Sequence, residues 1–165
     1  MEDEKNVFNT IMQQRWDGTI TQDELKKKYT GKFTTLQLIS ALEEVLKIQN
    51  ASEAENVFAA GFDFNLFNNE TVAVLCKYIK ETWHKQHENI ATLLQSFKMP
   101  GTEQALVDGM HIKCDYWYDD GDAFIRKCAY ALKAIDTPEA HQKLKALAND
   151  SNEIIKKYAL HQLEK

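Results

Sequence analysis

Apolar residues recur every three or four positions along most of this chain, which is the spacing of an amphipathic α-helix. Only two prolines and six glycines interrupt the pattern, which favours helices over a turn-rich β fold. Helical spacing covers residues 4–15, 21–29, 34–62 as a helix pair, 70–83, 86–98, 105–110, 122–135, 137–149 and 151–163. The pattern predicts an all-α fold of three helix pairs with two or three flanking helices, about nine helices in all.

The same apolar positions predict which side chains form the core. In the 34–62 pair they are Leu36, Ile39, Leu42, Val45, Leu46, Val57, Phe58 and Phe62. In the 70–83 helix they are Val72, Leu75, Cys76, Ile79 and Trp83 on one side and Val74 and Tyr78 on the other. In the last three helices they are Ile125, Ala129, Leu132, Leu144, Leu147, Ile155, Tyr158 and Ala159. A helix that is apolar on two sides is typically sandwiched between neighbours, so we expect residues 70–83 to be central.

Polar residues before several helices match the patterns that cap helix N-termini. Capping boxes are predicted at Thr21-x-x-Glu24, Thr34-x-x-Gln37 and Ser52-x-x-Glu55. Thr137 is expected to accept from the first free N–H groups of the next helix, and Pro138 occupies its first position, where a missing N–H costs nothing.

The segment from Asp17 to Glu24 looks like the second half of a calcium-binding EF-hand loop. Gln13 and Arg15 stand where such a loop needs its first acidic ligands. Too few oxygens remain for an ion that takes six to eight of them, so we predict a structural turn at Asp17-Gly18 instead.

The C-terminal third repeats itself with a period of thirty residues. Residues 120–129, DGDAFIRKCA, return as residues 150–159, DSNEIIKKYA. An aspartate, an isoleucine, a basic pair and an alanine fall in register, and the sequence DTPEA at 136–140 predicts a helix-to-helix corner between the copies. A period near thirty with one helix pair per unit is typical of an α-solenoid.

These motifs resemble the HEAT-like repeats of the bilin-lyase type. The resemblance is fullest over residues 120–163 and extends over about two thirds of the chain. It implies a right-handed α–α superhelix in one domain, residues 1–165, with 1–33 as an N-terminal helical cap and 34–165 as the repeats. It also implies a habit of binding partners on a concave face, but no reaction, because a fold alone does not fix function.

The net charge of −5 is concentrated in the middle of the chain. Residues 34–115 hold eleven acidic against six basic residues, whereas the two flanking parts are balanced. A protein that tracks a phosphate backbone gathers lysines and arginines on one face, so nucleic acid is not the expected partner.

The sequence also predicts a cytoplasmic protein without a membrane span. No apolar run approaches the roughly 20 residues that cross a bilayer, and no apolar segment follows the acidic start. The three cysteines Cys76, Cys114 and Cys128 are widely spaced, and Cys76 and Cys128 are expected to be reduced core residues.

Two histidines near residue 85 raise the possibility of zinc. His84 and Glu88 are spaced one turn apart on the predicted helix with His87 beside them, and His111 or Cys114 would supply a third ligand. The order of a zinc protease motif is missing, and a solvated polar stretch at a helix start explains the same residues. No metal site is assigned.

No motif for catalysis is present. The chain lacks a Gly-x-Ser-x-Gly elbow, a P-loop and a glycine-rich dinucleotide turn. None of its four serines, Ser40, Ser52, Ser96 and Ser151, stands next to a base. No catalytic residue and no cofactor is therefore assigned.

The most unusual segment is residues 115–122, where three consecutive aromatics are flanked by acids. Its candidate partner-binding residues are Asp115, Tyr116, Trp117, Tyr118, Asp119, Asp120 and Asp122. Aromatic side chains anchor many protein interfaces, and a basic partner would stack on the rings and pair with the carboxylates. The alternative is structural: the aromatics plug a gap between repeats, and Asp120 or Asp122 caps the next helix.

Two classes of function follow from these features. The first is a non-enzymatic protein-binding module, in its sharpest form a small acidic immunity protein that neutralises a bacterial toxin with a basic cleft. The second is a HEAT-like enzyme, either a bilin lyase or a glycosylase that excises alkylated bases from DNA. The glycosylase resemblance maps onto Trp117, Asp119 and Asp120, but this chain lacks the basic concave face of those enzymes.

Overall fold

The computed structural model describes residues 7–165, and this part of the chain contains ten α-helices and no strand. The helices are α1 Val7–Trp16, α2 Gln22–Tyr29, α3 Thr35–Ile48, α4 Ala51–Asp63, α5 Val72–Tyr78, α6 His87–Phe97, α7 Glu103–Met110, α8 Asp122–Ile135, α9 Pro138–Leu147 and α10 Glu153–Leu163. The all-α prediction is confirmed. The described residues contain ten helices rather than about nine, one for each segment of helical spacing in the sequence.

The predicted start of the first helix and the prediction of no membrane span are compared with the described residues only. Residues 4–6 of the first predicted helix lie outside the described residues. Within the described residues, no helix is long and apolar enough to span a bilayer.

Most of the predicted caps are confirmed. Thr21 with Glu24 and Thr34 with Gln37 form complete capping boxes, and Thr137 accepts from the N–H of Ala140 beside Pro138. The box predicted at Ser52-x-x-Glu55 is wrong. The helix α4 begins earlier, because Gln49 ends α3 in a left-handed conformation and Asn50 then caps α4 by accepting from the N–H of Glu53.

The described chain divides into two compact units. The first comprises the described residues through Val74 together with Trp83–Gln86, and the second comprises Leu75–Thr82 with His87–Lys165. In the first unit α4 packs against both α1 and α3. Asp63, on α4, accepts hydrogen bonds from Arg15 of α1 at 2.7 Å and Gln22 of α2 at 2.8 Å, and so ties three helices together.

The apolar stripe of α3 is rotated from the predicted one. Its buried residues are Leu38, Ala41, Leu42 and Val45. Leu36 is 69% exposed, because it lies two residues, about 200° of helix rotation, from the centre of the buried face. Phe62, predicted to face inward, is 45% exposed at the end of α4, where its ring contacts Phe67 with centroids 4.9 Å apart.

The helix predicted over 70–83 is much shorter. A 3-10 turn at Asn69–Thr71 leads into α5, which ends at Tyr78. The N–H of Glu81 then bonds to the Tyr78 carbonyl, so the chain turns and Trp83 lies outside the helix. Val74 and Leu75 are both buried, which confirms that the helix is apolar on two sides, whereas Cys76 is only half-buried.

The second unit is built around α8, which packs against α6, α7, α9 and α10. The predicted core residues of the last three helices are buried, except that Tyr158 is only half-buried. Ala129 of α8 and Ala159 of α10 are fully buried, and these two helices pack against each other. Buried Glu103 joins two corners by accepting from the Thr137 hydroxyl at 2.7 Å and the Gly101 N–H at 2.7 Å.

Candidate functional site

The loop of residues 115–122 connects α7 to α8 and is anchored by Trp117. The half-buried Trp117 ring stacks on Phe124 with centroids 5.4 Å apart and meets the His87 ring edge-on at 5.5 Å. Gly121 lies against the same indole, so closely that a Cβ at this position would come within 3.0 Å of it. Trp117 is therefore packed within the second unit, against side chains of α6 and α8.

His87 fixes the next aromatic of the loop. Its Nε2 lies 2.6 Å from the Glu81 carbonyl oxygen and its Nδ1 lies 2.7 Å from the Tyr116 hydroxyl. A carbonyl oxygen can only accept, so Nε2 carries a proton, and in the neutral ring Nδ1 accepts from Tyr116. Burial raises the pKa of Tyr116 to about 12, which keeps the phenol protonated.

Neither histidine of the candidate zinc cluster is solvated, so the expectation of a solvated polar stretch is wrong. His84 and His87 are both fully buried, and His84 lies before α6 instead of sharing a helix with Glu88. Its Nδ1 accepts from the Gln86 N–H at 3.0 Å. Exposed Glu88 pairs with Lys127 at 3.0 Å. Across residues 7–165, no three His, Cys, Asp or Glu side chains converge as a bound metal would need.

Cys114 lies beside His87 but is not an activated thiol. The Sγ atom is 3.7 Å from the His87 Nε2, which already donates its proton to the Glu81 carbonyl. The ring lone pair sits on Nδ1 and faces Tyr116, so it is not available as a base for the thiol. Burial, with the charge of Asp115 in addition, raises the pKa of Cys114 to about 11, so the thiol stays protonated at neutral pH.

Two carboxylates of the loop are used within the fold. Asp119 accepts from the N–H groups of Gly121 at 3.0 Å and Ala123 at 3.1 Å, and so caps α8. Asp122 accepts from the Tyr158 hydroxyl at 2.5 Å and from Lys157 at 3.0 Å, both on α10. The expectation that Asp120 or Asp122 caps α8 is therefore wrong.

The backbone explains this shift of the cap. Asp120 and Gly121 both adopt left-handed conformations, with φ of 55° and 80°. The two residues turn the chain so that the carboxylate of Asp119, rather than that of Asp120, lies over the helix end. The Asp-Asp-Gly-Asp sequence is the only signal of this arrangement, since Gly and Asp are residues that tolerate positive φ.

The remaining members of the predicted set point outward. Tyr118 is 98% exposed, and Asp115 and Asp120 are exposed. Within the described residues, neither of these two carboxylates has a hydrogen bond or an ion pair. The predicted site thus divides into an anchoring group, Tyr116, Trp117, Asp119 and Asp122, and an outward group, Asp115, Tyr118 and Asp120.

A cavity of about 600 Å³ lies beside this loop, in the second unit. It is bounded by the end of α7, the loop, and the start of α10. Its lining includes Cys114, Asp115, Trp117, Asp120, Ile125 and Glu153. Sequence reasoning missed it, because Glu153 and Ile125 belong to other helices and no local pattern places them next to the loop.

The EF-hand-like segment of the first unit forms a turn. The Asp17 carboxylate accepts from the N–H of Thr19 at 2.9 Å and from its hydroxyl at 2.6 Å, and these bonds lower the pKa of Asp17. Gly18 adopts a φ of 79°, and Arg15 forms an ion pair with Asp63. These contacts account for the segment as a structural feature.

Comparisons of the chain with protein-family models, with curated proteins and with solved structures gave no match. What the protein does must therefore be inferred from its own residues. The residues that most favour contact with another molecule are the outward group of the 115–122 loop and the cavity next to it.

Proposed function

We propose that this protein is a non-enzymatic protein-binding module and that residues 115–122 are its contact loop. The observation that carries the proposal is Tyr118, a large aromatic side chain that is 98% exposed and belongs to the same short loop as the exposed, unpartnered carboxylates of Asp115 and Asp120. Rings of this kind bury a large area at small entropic cost and are enriched among residues that dominate binding energy. The anchoring group holds the loop in place, so little ordering remains to be done on binding.

A HEAT-like, right-handed stack of helix pairs is part of this proposal. It is supported by the repeat: α8 and α10, which carry the two copies, pack directly on each other, and α9 contacts both. The repeated alanines Ala129 and Ala159 occupy equivalent buried positions in these helices. A stack of this type leaves a long surface for a partner.

The expected partner is a protein with a basic surface. Asp115 and Asp120 would attract lysines and arginines, and the whole chain carries a net charge of −5. Exposed charges act mainly on the rate of association. The sharpest form of the proposal is a cytoplasmic immunity protein that covers the basic cleft of a toxin.

Affinity capture followed by reconstitution tests the proposal. A partner captured from native lysate is identified, purified and titrated against wild-type protein, Tyr118→Ala and the control Leu160→Ala. Leu160 is exposed in the same unit but lies outside the loop. We expect Tyr118→Ala to weaken binding by about 2 kcal/mol, close to 30-fold, with the control and the melting temperature unchanged. Equal affinity of the wild-type and Tyr118→Ala proteins contradicts the proposal.

Trp117→Ala separates anchoring from recognition. Because Trp117 packs on Phe124 and Gly121, we expect its removal to lower the melting temperature of the free protein by several degrees.

If the partner is a toxin, its co-expression with wild-type protein should restore growth, and co-expression with Tyr118→Ala should not. Growth restored equally by both proteins would show that inhibition does not use this loop.

A further inference from the structure

The lining of the cavity beside the loop combines an aromatic and apolar floor with carboxylates. Trp117 and Ile125 supply apolar surface, and Asp115, Asp120 and Glu153 supply three negative charges. The volume of about 600 Å³ lies within the roughly 300–1,000 Å³ that ligand pockets occupy. A cavity of this size has room for one long side chain together with its flanking backbone.

The positive groups of the lining do not balance these carboxylates. Lys113 is the one lysine among the lining residues, and it is exposed. His111 also lines the cavity, but its Nε2 already binds Asp150 at 2.7 Å. The start of α10 is likewise occupied, since the Asn152 side chain accepts from the N–H groups of Ile154 and Ile155. An anion would therefore meet more repulsion than attraction here.

We infer that this cavity receives an arginine side chain of the protein partner, with the guanidinium against Trp117 and between Asp115 and Asp120. A planar guanidinium can stack on an indole and bond to carboxylates at the same time, which the ammonium of lysine does less well. Two carboxylates without partners in the described residues are available for it. The inference rests on the proposed function, because it assigns the chemistry of the partner at the same loop.

The cavity is tested without the partner, by NMR titration with the peptide acetyl-Gly-Arg-Gly-amide at low ionic strength. The observed signals are the Trp117 indole N–H and the backbone amides of Cys114 and Asp120. Neutral and cationic comparisons are the citrulline and lysine versions of the same peptide. We expect the arginine peptide to shift these signals, the lysine peptide to bind several-fold more weakly, and the citrulline peptide to leave them unchanged.

Variants locate the binding. Asp115→Asn with Asp120→Asn should weaken the arginine peptide about fivefold or more, since two exposed ion pairs are lost. The control Glu139→Gln removes an exposed carboxylate of α9 that is not part of the cavity and should have no effect. Equal binding by the citrulline peptide, or equal loss in the control, overturns the inference. Agmatine that binds as tightly as the peptide would also overturn it, in favour of a small cationic ligand.

The two proposals fail separately. An empty cavity in these titrations leaves Tyr118-dependent capture of a protein partner intact. A chain that captures no partner can still bind the arginine peptide in the cavity, which would identify a cation site without a protein-binding function.

Discussion

The starts of α8 and α10 have equivalent sequences but different structures. The first copy reads Asp120-Gly121-Asp122 and the second reads Asp150-Ser151-Asn152. In the second copy Asn152 caps the helix, and Asp150 accepts from the Asn152 N–H and binds His111. In the first copy Asp119 caps the helix, and Asp120 has no partner among the described residues. The repeated aspartate is bonded within the fold as Asp150 and is exposed beside the cavity as Asp120.

Backbone conformation accounts for this difference. Asp120 and Gly121 are left-handed, whereas Ser151 does not have a positive φ. Gly121 also leaves room for the Trp117 ring, whereas the residue at the position equivalent to Trp117 in the second copy is Leu147, which has no ring. An extra turn of the chain therefore moves the capping side chain back by three residues, from the position equivalent to Asn152 to Asp119, and leaves the Asp120 carboxylate without a partner among the described residues. A repeat motif can thus fix where a helix starts without fixing what each of its residues does.

The largest effect is expected where the two copies are most alike. Ala129 and Ala159 are both fully buried, so replacing either with leucine should overpack the second unit and cost about 1–3 kcal/mol. Urea denaturation of both variants measures the loss. Similar losses support equivalent roles for the two alanines. A variant as stable as wild type would show that its helix is not closely approached at that position.

The next effect distinguishes the two copies. Gly121→Ala places a Cβ on a left-handed residue and 3.0 Å from the Trp117 ring, so we expect a loss of about 1–2 kcal/mol. The equivalent change Ser151→Ala lies on an exposed residue and should be close to neutral. Urea midpoints measure both, and near-ultraviolet circular dichroism reports the displaced indole. Equal urea midpoints for the two variants would contradict the structural difference between the copies.

Periodicity and caps predicted the last three helices, because long apolar stripes and a Thr-Pro corner are local signals. They misplaced the end of α5, since an apolar pattern runs on through Ile79 and Trp83 although the chain turns at Glu81. They also misassigned Leu36, which lies on the side of α3 opposite its buried face, two residues from Leu38.

Less of the candidate site was predictable. The 115–122 loop is visible in the sequence as a run of aromatics and acids, but its division into anchoring and outward residues depends on distant contacts. His87 orients Tyr116 across 29 residues, and Glu153 reaches the cavity from another helix. These groups come together only in the folded chain. Composition alone therefore identifies the loop but not which of its residues belong to the anchoring group and which to the outward group.

Caps provide a third and smaller test. Asp119→Ala removes the acceptor of two N–H groups at α8, and Asn152→Ala does the same at α10, so each should cost about 1 kcal/mol. Asp120→Asn keeps a residue that tolerates positive φ and removes only an unpartnered charge, so the free energy of unfolding should not change. Thermal melts measure all three. A loss at Asp120→Asn equal to that at Asp119→Ala would show that the Asp120 charge forms a stabilising contact within the fold.

The smallest expected effect is a pH dependence of stability at the His111–Asp150 pair, in which Asp150 comes from the second copy of the repeat. Burial by itself lowers the pKa of His111, but the Asp150 hydrogen bond, the Val107 carbonyl and nearby acidic charges outweigh it and raise the pKa above its ordinary value of 6.5. Burial likewise raises the pKa of Asp150, and its hydrogen bonds from the Asn152 N–H and from His111 lower it below its ordinary 3.8 overall.

These directions set the pH range in which the pair stabilises the fold. The stability that follows from the raised pKa of His111 is fully present below about pH 6.5 and is lost as the pH rises through the folded pKa. The stability that follows from the lowered pKa of Asp150 is present above about pH 3.8 and is lost as the pH falls through its folded pKa. The pair is half-exposed, so its contribution should stay below about 1 kcal/mol. Urea midpoints of wild type and His111→Gln should therefore differ at pH 5.5 and converge at pH 8.5. A difference of the same size at both pH values would mean that His111 acts through packing and not through its charge.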